Sequence, residues 1–557
     1  MHKSIAVKPL KALPGVSCLL AAILCVFCLP FSLAAQRRER AINSWRPIHY
    51  DVALSFNDQL TEISSARTEI TLEVLADNLT RIDLDFGEMP IDAVTVKGVA
   101  ARFERQPGMI QVMLQPAAKR GEKLGLIITY HGRPKDGLIF ARDRDGNPAA
   151  TGDNWPNRVH HWIPCLDHPS AKATVTFTVM APPREQVVAN GKFVTIVKNG
   201  NAGWLWKFDE SKPIPAYCMV IAVGEGAKID ANEAAVTPLS YYVPMKDAAY
   251  APKGFAPAAP ALAFFSQTVA PYPFEKLALI IGATRFGGME NSSAIVFPST
   301  LFEPRGNDKA SQRFGIPTRT EEVVAHEIAH QWFGDSVTES SWADLWLSEG
   351  FATYFTGLFI EKYESEKAFR EYMRDAASRY FAYEKQRKAP IHDTETQDLM
   401  KLLNANNYEK GAWVLHMLRE RIGDEAFFKG LRIYYHDHRD ANATTEDLRR
   451  ALEQSSSKNL KVFFARWVYG VGHPRYQVRW GLTRNGTLLR VTISQIQNGN
   501  AFLDPIPIEV VVNGQKIERI IYPKSKLAAL TIRLSGKPTS KEVDPDETLL
   551  KEVIQAP

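Results

Sequence analysis

Hydrophobic and polar residues alternate along several stretches of the first 240 residues. Val52, Leu54 and Phe56 share one parity, as do Ile70, Leu72 and Val74, and again Ile82, Leu84 and Phe86. A period of two places such residues on one face of a half-buried strand. Turn-forming runs such as Lys198-Asn199-Gly200-Asn201 separate the stretches. Residues 44–240 therefore read as a β-sheet domain. The pattern then changes. Ala248–Pro260, rich in Ala and Pro, reads as a connection, and Leu277 to Ile281 is a short apolar run expected as a buried strand. Further on, apolar residues recur at helical spacing, as in Leu415, Leu418 and Ile422. Residues 241–475 read as a mainly helical domain. From Tyr476 alternation returns in Leu489, Val491 and Ile493, then in Ile508, Val510 and Val512, followed by the run Ile520-Ile521-Tyr522. Asn513-Gly514 is a hairpin signal between the last two. Residues 476–557 are expected to form a small β-sandwich. The fold class is thus multidomain α+β, and 557 residues are enough for several cores. No internal repeat stands out.

The first 35 residues belong to none of these domains. Lys3, Lys8 and Lys11 precede an apolar run from Val16 to Leu33, and Ser32-Leu33-Ala34 ends it with small residues at signal-peptidase spacing. This predicts a signal peptide over 1–35 and an extracytoplasmic protein, periplasmic or secreted. The alternative is an uncleaved membrane anchor, since the run approaches the ~20 residues that span a bilayer. Cys25 and Cys28 lack the small preceding residues of a lipoprotein site. Outside this stretch only Cys165 and Cys218 remain, which excludes a disulfide scaffold and argues against a Cys-ligated metal. Both are expected as buried free thiols. Hydrophobic content of 45% and charged content of 23% are ordinary for a globular chain, and the net charge is +5. No basic patch interleaved with aromatics points to nucleic acid.

Chemistry concentrates between Glu321 and Phe355. In His326-Glu327-Ile328-Ala329-His330 the two histidines lie four apart, one turn above the other on the same face of a helix. Their imidazoles can share one metal ion. Glu327 is rotated about 100° from His326, beside the metal without having to bind it, which suits a general base acting on an activated water. Glu349, in Trp346-Leu347-Ser348-Glu349-Gly350, follows His330 after 18 intervening residues and can supply a third ligand from a neighbouring helix. Two His and one Glu with a free fourth position make the catalytic form of a zinc site. The first helix is expected to start near Thr318 or Thr320, either of which could cap it, with Glu321 and Glu322 favourable to its dipole. The second is expected from about Asp344 to Tyr363. Adjacent His160 and His161 point to opposite faces of an extended segment and read as structural. His436-Asp437-His438 reads as a solvated helix end or turn.

His326-Glu327-x-x-His330 with Glu349 resembles the gluzincin signature of the M1 family of zinc aminopeptidases. Gly287-Gly288-Met289-Glu290-Asn291 resembles that family's exopeptidase motif, in which Ala is common where Gly288 stands. Tyr408-Glu409-Lys410-Gly411-Ala412 resembles its catalytic-tyrosine segment, and Trp162-Ile163-Pro164-Cys165-Leu166-Asp167 a landmark of its amino-terminal domain. The resemblance covers roughly 45–557. It implies a thermolysin-like catalytic domain with one Zn2+ per chain, held by His326, His330 and Glu349. It further implies Glu327 as general base, Tyr408 as oxyanion stabiliser, Glu290 as the anchor of the free amino terminus, and the Gly287-Gly288 backbone, with Met289 and Asn291, as the peptide-binding loop. Where many members carry a Gln or Glu that helps hold the amine, this chain has Gly152-Asp153-Asn154-Trp155-Pro156. Asp153 and Asn154 are the candidates for that role, beside the reading of a loop of turn residues. Many members continue with a large helical carboxy-terminal domain, for which no room is expected before residue 557.

The function these features imply is release of N-terminal amino acids from peptides with a free amino terminus. Another activity on the same metal site, an M1-like binding module and a scaffold with chance motifs are the rivals. Glu290 argues against an endopeptidase, and intact Glu327, Tyr408 and ligand positions argue against a binding module.

Overall fold

The computed structural model describes residues 37–555 apart from 38, 41, 199, 201–202, 232–236, 304–318 and 485. The expected signal peptide and Thr318 lie outside the described residues. The amino-terminal part is built on the predicted alternation. Strands Trp45–Phe56 and Ile63–Val74 pair antiparallel, with Tyr50 opposite Ile70 and Val52 opposite Thr68. They lie at the middle of an eight-stranded sheet in which one edge strand, Lys192–Lys198, stops at the predicted turn. Tyr50, Val52, Leu54, Ile70, Leu72 and Val74 all face inward. Ile82 and Leu84 belong to Leu79–Asp85, in a second sheet of three strands, and cover the same core. A small sheet, in the order Gln186–Ala189, Ile221–Gly224, Pro148–Gly152, Leu138–Arg142, delivers the chain at Gly152 to the loop 153–156.

A further sheet runs Ala227–Ala231, Leu239–Val243, Leu277–Gly282, Ala294–Pro298. The predicted boundary at 240/241 falls within its second strand. That strand pairs in parallel with Leu277–Gly282, so Ala227–Ala231 and Leu239–Val243 share a sheet with strands of the helical domain. Helices Ala258–Thr268, Thr320–His330, Trp346–Tyr363, Glu366–Gln386, Gly411–Ile422 and Asp424–His438 pack beside the sheet. Val324, Ile328, Phe351, Phe355 and Leu418 join their apolar faces. The helix Trp346–Tyr363 is buried nearly all round, which is why its sequence shows so little amphipathic period.

After Pro474 come two sheets, in the orders Leu527–Arg533, Leu488–Gln495, Arg475–Leu482, Glu552–Gln555 and Gln515–Ile521, Ile506–Val512, Pro538–Val543. Asn513 and Gly514 turn the predicted hairpin with φ of 51° and 79°, the left-handed pair a two-residue turn needs. Val491, Ile493, Ile508 and Val510 share one apolar core with the helical part. Trp467 fixes that junction: its ring packs 4.7 Å from Phe502 and its indole donates to Asp504 at 2.9 Å. Among the described residues no helix is long and apolar enough to cross a membrane. Cys165 and Cys218 are buried and free, as expected.

Candidate active site

The helix Thr320–His330 begins without a side-chain cap. Its N-cap is Arg319, and the Thr320 hydroxyl donates instead to the Leu301 carbonyl at 3.2 Å. Glu321 and Glu322 occupy the first turn, where they favour the helix dipole, and Arg319 donates to Glu322 at 2.7 Å. One turn apart, His326 and His330 bring their Nε2 atoms to 3.1 Å. Glu349 lies in the first turn of Trp346–Tyr363, after a 3-10 turn at Trp342–Asp344, and its Oε2 is 3.4 Å from both Nε2 atoms. Zinc bonds of 2.0–2.2 Å in a tetrahedron put neighbouring ligand atoms about 3.3–3.6 Å apart. Two nitrogens and one buried, otherwise unpartnered carboxylate oxygen at 3.1, 3.4 and 3.4 Å therefore fit one zinc ion.

The ligands are held from behind. His330 Nδ1 lies 3.2 Å from the Phe333 carbonyl and 3.0 Å from the Ser348 hydroxyl, contacts that set its tautomer and ring plane. The chain turns there at Gly334, φ 129°, where a Cβ would come within 2.5 Å of Ser348 Oγ and 3.1 Å of His330 Nδ1. The Tyr408 ring stacks on His326, centroids 6.0 Å apart and planes 7° from parallel. Tyr408 lies in a single wide turn, Asn406–Lys410, that leads into Gly411–Ile422. Wide turns of this kind mark functional positions on helices often enough to be read as such.

The motif Gly287–Asn291 connects two parallel strands and folds back at Met289, which exchanges backbone hydrogen bonds with Val296 at 2.8 and 3.0 Å. A Cβ on Gly288 would sit 2.4 Å from the Glu327 carboxyl carbon, so the bare backbone lies directly against the general-base candidate. Gln331, the residue after the second histidine, ties this loop to the metal helix. Its amide donates to the Glu290 carbonyl at 3.0 Å and to Asp335 at 2.8 Å, and accepts from the Ser293 backbone N–H at 2.8 Å and the Tyr272 hydroxyl at 2.9 Å.

One cavity is lined by Gly287, Gly288, Met289, Glu290, His326, Glu327, His330, Glu349 and Tyr408, together with Trp155, Phe286 and Leu403. Nine sequence-predicted positions thus converge. Asn291 and Asp153 are not among its lining. Asn291 is fully buried behind the loop, its amide donating to the Met289 carbonyl at 3.3 Å. Asp153 is equally buried and is consumed by Arg158 at 2.8 Å and by the Thr284 hydroxyl at 2.9 Å. Asn154 accepts from the Trp162 indole and donates to the Met219 carbonyl. From that segment it is Trp155 that reaches the cavity. His160 is held by Asp167 at 2.8 Å, and His436 pairs with Asp437 at an exposed helix end, so neither joins the site. Among the described residues, His326, His330 and Glu349 are the one cluster with metal-ligand spacing.

Burial dominates the electrostatics. It raises Glu290 to about 7, against the pull of His330, and it raises Glu327 well above the usual carboxylate range. Burial also acts to raise Glu349, but the two imidazoles outweigh it and hold the carboxyl at about 2. The Tyr408 hydroxyl is pushed up by burial and by nearby Glu349, and so stays a proton donor. A ligand set able to hold a Lewis acid, an adjacent carboxyl with high proton affinity, a neutral hydroxyl donor and a second carboxylate at the cavity wall form a hydrolytic constellation.

Fold and site together define a metallopeptidase-type centre: an HExxH helix completed by a glutamate from the next helix. The Peptidase M1 N-terminal domain matches residues 46–218 and the Peptidase family M1 domain matches residues 256–467. The chain belongs to peptidase family M1. It is 27% identical over 488 residues to a leucyl aminopeptidase of Saccharolobus solfataricus, covering 85% of this chain and 59% of that one. It is 26% identical over 534 residues to a glutamyl aminopeptidase of Rattus norvegicus, covering 90% and 55%. The chain therefore spans little more than half the length of these relatives. An M1 zinc metallopeptidase from Deinococcus radiodurans superimposes with a TM-score of 0.63 at 25% identity, over 78% of this chain and 95% of the other.

Proposed function

We propose that this protein is a zinc-dependent aminopeptidase that removes the first residue of peptides with a free amino terminus. The observation that carries the reading is the placement of Glu290 in the same cavity as His326, His330 and Glu349. A carboxylate fixed beside the metal-binding set holds an α-ammonium, and the bond presented to the site is then the first peptide bond. The Gly287-Gly288 backbone, free of Cβ atoms, lets the peptide main chain approach. When bound, zinc supplies the Lewis acidity that makes water a nucleophile near neutral pH. Glu327 takes the proton from that water and delivers it to the leaving amine; its high proton affinity suits both transfers. Tyr408, a neutral donor stacked on His326, faces the carbonyl oxygen as charge develops there.

The test compares alanyl-, leucyl- and arginyl-aminocoumarin with their N-acetylated forms, before and after chelation and zinc restoration. Chelator-sensitive hydrolysis confined to free amines is expected, and Glu290→Ala should erode that preference. Equal hydrolysis of blocked substrates would replace the reading with another hydrolase. We further propose an extracytoplasmic location, on the leader-like pattern of residues 1–35. Recovery of the intact leader on a cytoplasmic protein would refute it.

A further inference from the structure

We infer that the contact between Gly350 and Gly411, together with the Glu409–Arg379 ion pair, fixes where the Tyr408 hydroxyl stands relative to the metal-binding set, which makes Gly411 and Glu409 positioning residues. The inference rests on the reading of Tyr408 as the donor to the carbonyl oxygen. A donor of that kind acts only at hydrogen-bond distance from the place where charge develops. Tyr408 and the ligand Glu349 come from different parts of the chain, so their spacing has to be set by whatever joins the two segments. Gly350 follows Glu349 on the helix Trp346–Tyr363, and Gly411 begins the helix Gly411–Ile422, directly after the turn that carries Tyr408.

The two glycines meet backbone to backbone. A Cβ on Gly411 would lie 2.9 Å from the Gly350 Cα. A Cβ on Gly350 would lie 2.9 Å from the Gly411 Cα and 3.1 Å from the Asn407 carbonyl oxygen. Carbon atoms in contact sit about 3.5–4.0 Å apart, and main-chain atoms cannot rotate aside, so a methyl group at either position drives the segments apart by on the order of 1 Å. The conformation of Gly411 does not call for glycine. Its φ of −56° and ψ of −48° are ordinary helix, where alanine is the better residue. Glycine there gives up helix propensity, and what it provides is the close approach.

Glu409 ties the same turn to another helix. Its side chain is fully buried, and Oε1 accepts from Arg379 Nε at 2.8 Å on the helix Glu366–Gln386. The residues before Tyr408 are held as well: the Asn406 amide donates to the Ala389 carbonyl at 3.1 Å, and the Asn407 amide to the Leu402 carbonyl at 2.7 Å. Burying a carboxylate is unfavourable unless it is paired, and this pair fixes the residue next to the tyrosine.

The experiment measures kcat and KM on alanyl- and leucyl-aminocoumarin for the zinc-loaded full chain and for Gly411→Ala, Glu409→Ala and Glu409→Gln. Each variant is made alone and combined with Tyr408→Phe, with zinc content and thermal midpoint determined. Gly411→Ala should lower kcat by about 10–10²-fold, the scale of a misplacement of about 1 Å, with KM and zinc content retained. Glu409→Ala should lower kcat in the same way, and Glu409→Gln, which keeps an acceptor for Arg379, should restore most of the loss. The deciding result is non-additivity. Once Tyr408→Phe has removed the hydroxyl, neither Gly411→Ala nor Glu409→Ala should cost more than about twofold in kcat, because no donor is left to misplace. The same loss with and without the hydroxyl overturns the inference, since the fault would then lie in the metal set or in packing. Unchanged kcat in the folded single variants overturns it too. If Gly411→Ala does not fold, the two Glu409 variants give the answer. A Tyr408→Phe variant that by itself keeps kcat overturns the reading of Tyr408 and this inference with it. No hydrolysis of free-amine substrates by the zinc-loaded wild type overturns the aminopeptidase reading as well.

Discussion

Gln331→Met isolates what joins the metal helix to the Glu290 loop. Methionine nearly keeps the volume of glutamine and removes every hydrogen bond its amide makes. Five partners lose Gln331: the Glu290 and Asn291 carbonyls, the Asp335 carboxyl, the Ser293 N–H and the Tyr272 hydroxyl. Tyr272 retains the Lys276 carbonyl and the Asn291 carbonyl retains the Ala294 N–H, each at 3.0 Å, so three buried groups are left short. At about 1 kcal/mol each, the low end for an orphaned buried group, the loss is about 3 kcal/mol. Urea denaturation should show a lower midpoint with an unchanged slope. The functional consequence is separate. Without its tether the Glu290 main chain shifts, and a shift of ~1 Å in a binding group can cost up to about 10²-fold. That loss should fall on KM for free-amine substrates and on discrimination against N-acetylated ones. Zinc stoichiometry should be retained, because neither histidine bonds to the Gln331 side chain. A variant that loses stability but keeps KM and discrimination would make Gln331 a packing residue only. An unchanged denaturation midpoint would refute the hydrogen-bond argument altogether.

Three further outcomes are expected. Glu327→Gln should bind zinc stoichiometrically yet lose about 10²–10⁴-fold in kcat, and an active zinc-loaded variant would remove Glu327 as general base. Tyr408→Phe should cost about 3 kcal/mol of transition-state stabilisation, read as a fall in kcat with little change in KM, and an unaltered kcat would take the hydroxyl out of the mechanism. Lys410 is fully buried with no hydrogen-bond partner, and burial lowers its ammonium to about 7 from the usual 10.5. Because the folded value is the lower one, stability is highest above about 10.5, falls as the pH drops towards 7, and levels off below it. Lys410→Met should therefore stabilise by on the order of 4 kcal/mol near pH 7, and by far less near pH 10.5. Equal midpoints for variant and wild type at pH 7 would refute an uncompensated buried ammonium.

The metal set was legible because it is written along helices, where spacing fixes geometry: the histidines are four positions apart, and one turn sets their ring distance. Glu349 and the Gly287–Asn291 loop were legible through motif order. The strands were legible wherever one face is buried, as in Trp45–Phe56. Trp155 was not, although its segment stood out. A five-residue turn carries no period, and which of its side chains enters the cavity depends on Arg158 capturing Asp153 and on Trp162 and Met219 capturing Asn154. Gln331 was hidden for a related reason. Its partners in the Glu290 loop lie about 40 residues upstream, and no local pattern encodes that loop's approach to the helix. That strand Leu239–Val243 pairs forward, with residues almost 40 positions later, was not legible either, because alternation within a strand does not say which sheet it joins.

The amino-terminal domain helps to build the cavity and is not an appendage to it. Beyond lending Trp155 to the cavity, it supports the two loops on which the site depends. Half-buried Lys172, on an inner strand of the large sheet, donates to the carbonyls of Asp335 at 2.8 Å and Ser336 at 2.7 Å, in the turn just beyond the metal helix. The Cys218 thiol reaches Asp335 Oδ1 at 3.3 Å, and Asp335 in turn receives the Gln331 amide. On the other side of the site, Asn190 donates to the Ser292 carbonyl at 2.6 Å, and the Gly191 N–H donates to the Ser293 hydroxyl at 2.7 Å, just past Glu290. The contacts of Cys218, Asn190 and Gly191 are buried, so each of these would leave an unmatched polar group if the domains parted. Hinge opening of the amino-terminal domain would thus disturb the Glu290 loop and the turn behind His330 together. The position of Glu290 and the orientation of His330 are coupled through a domain that contributes neither group.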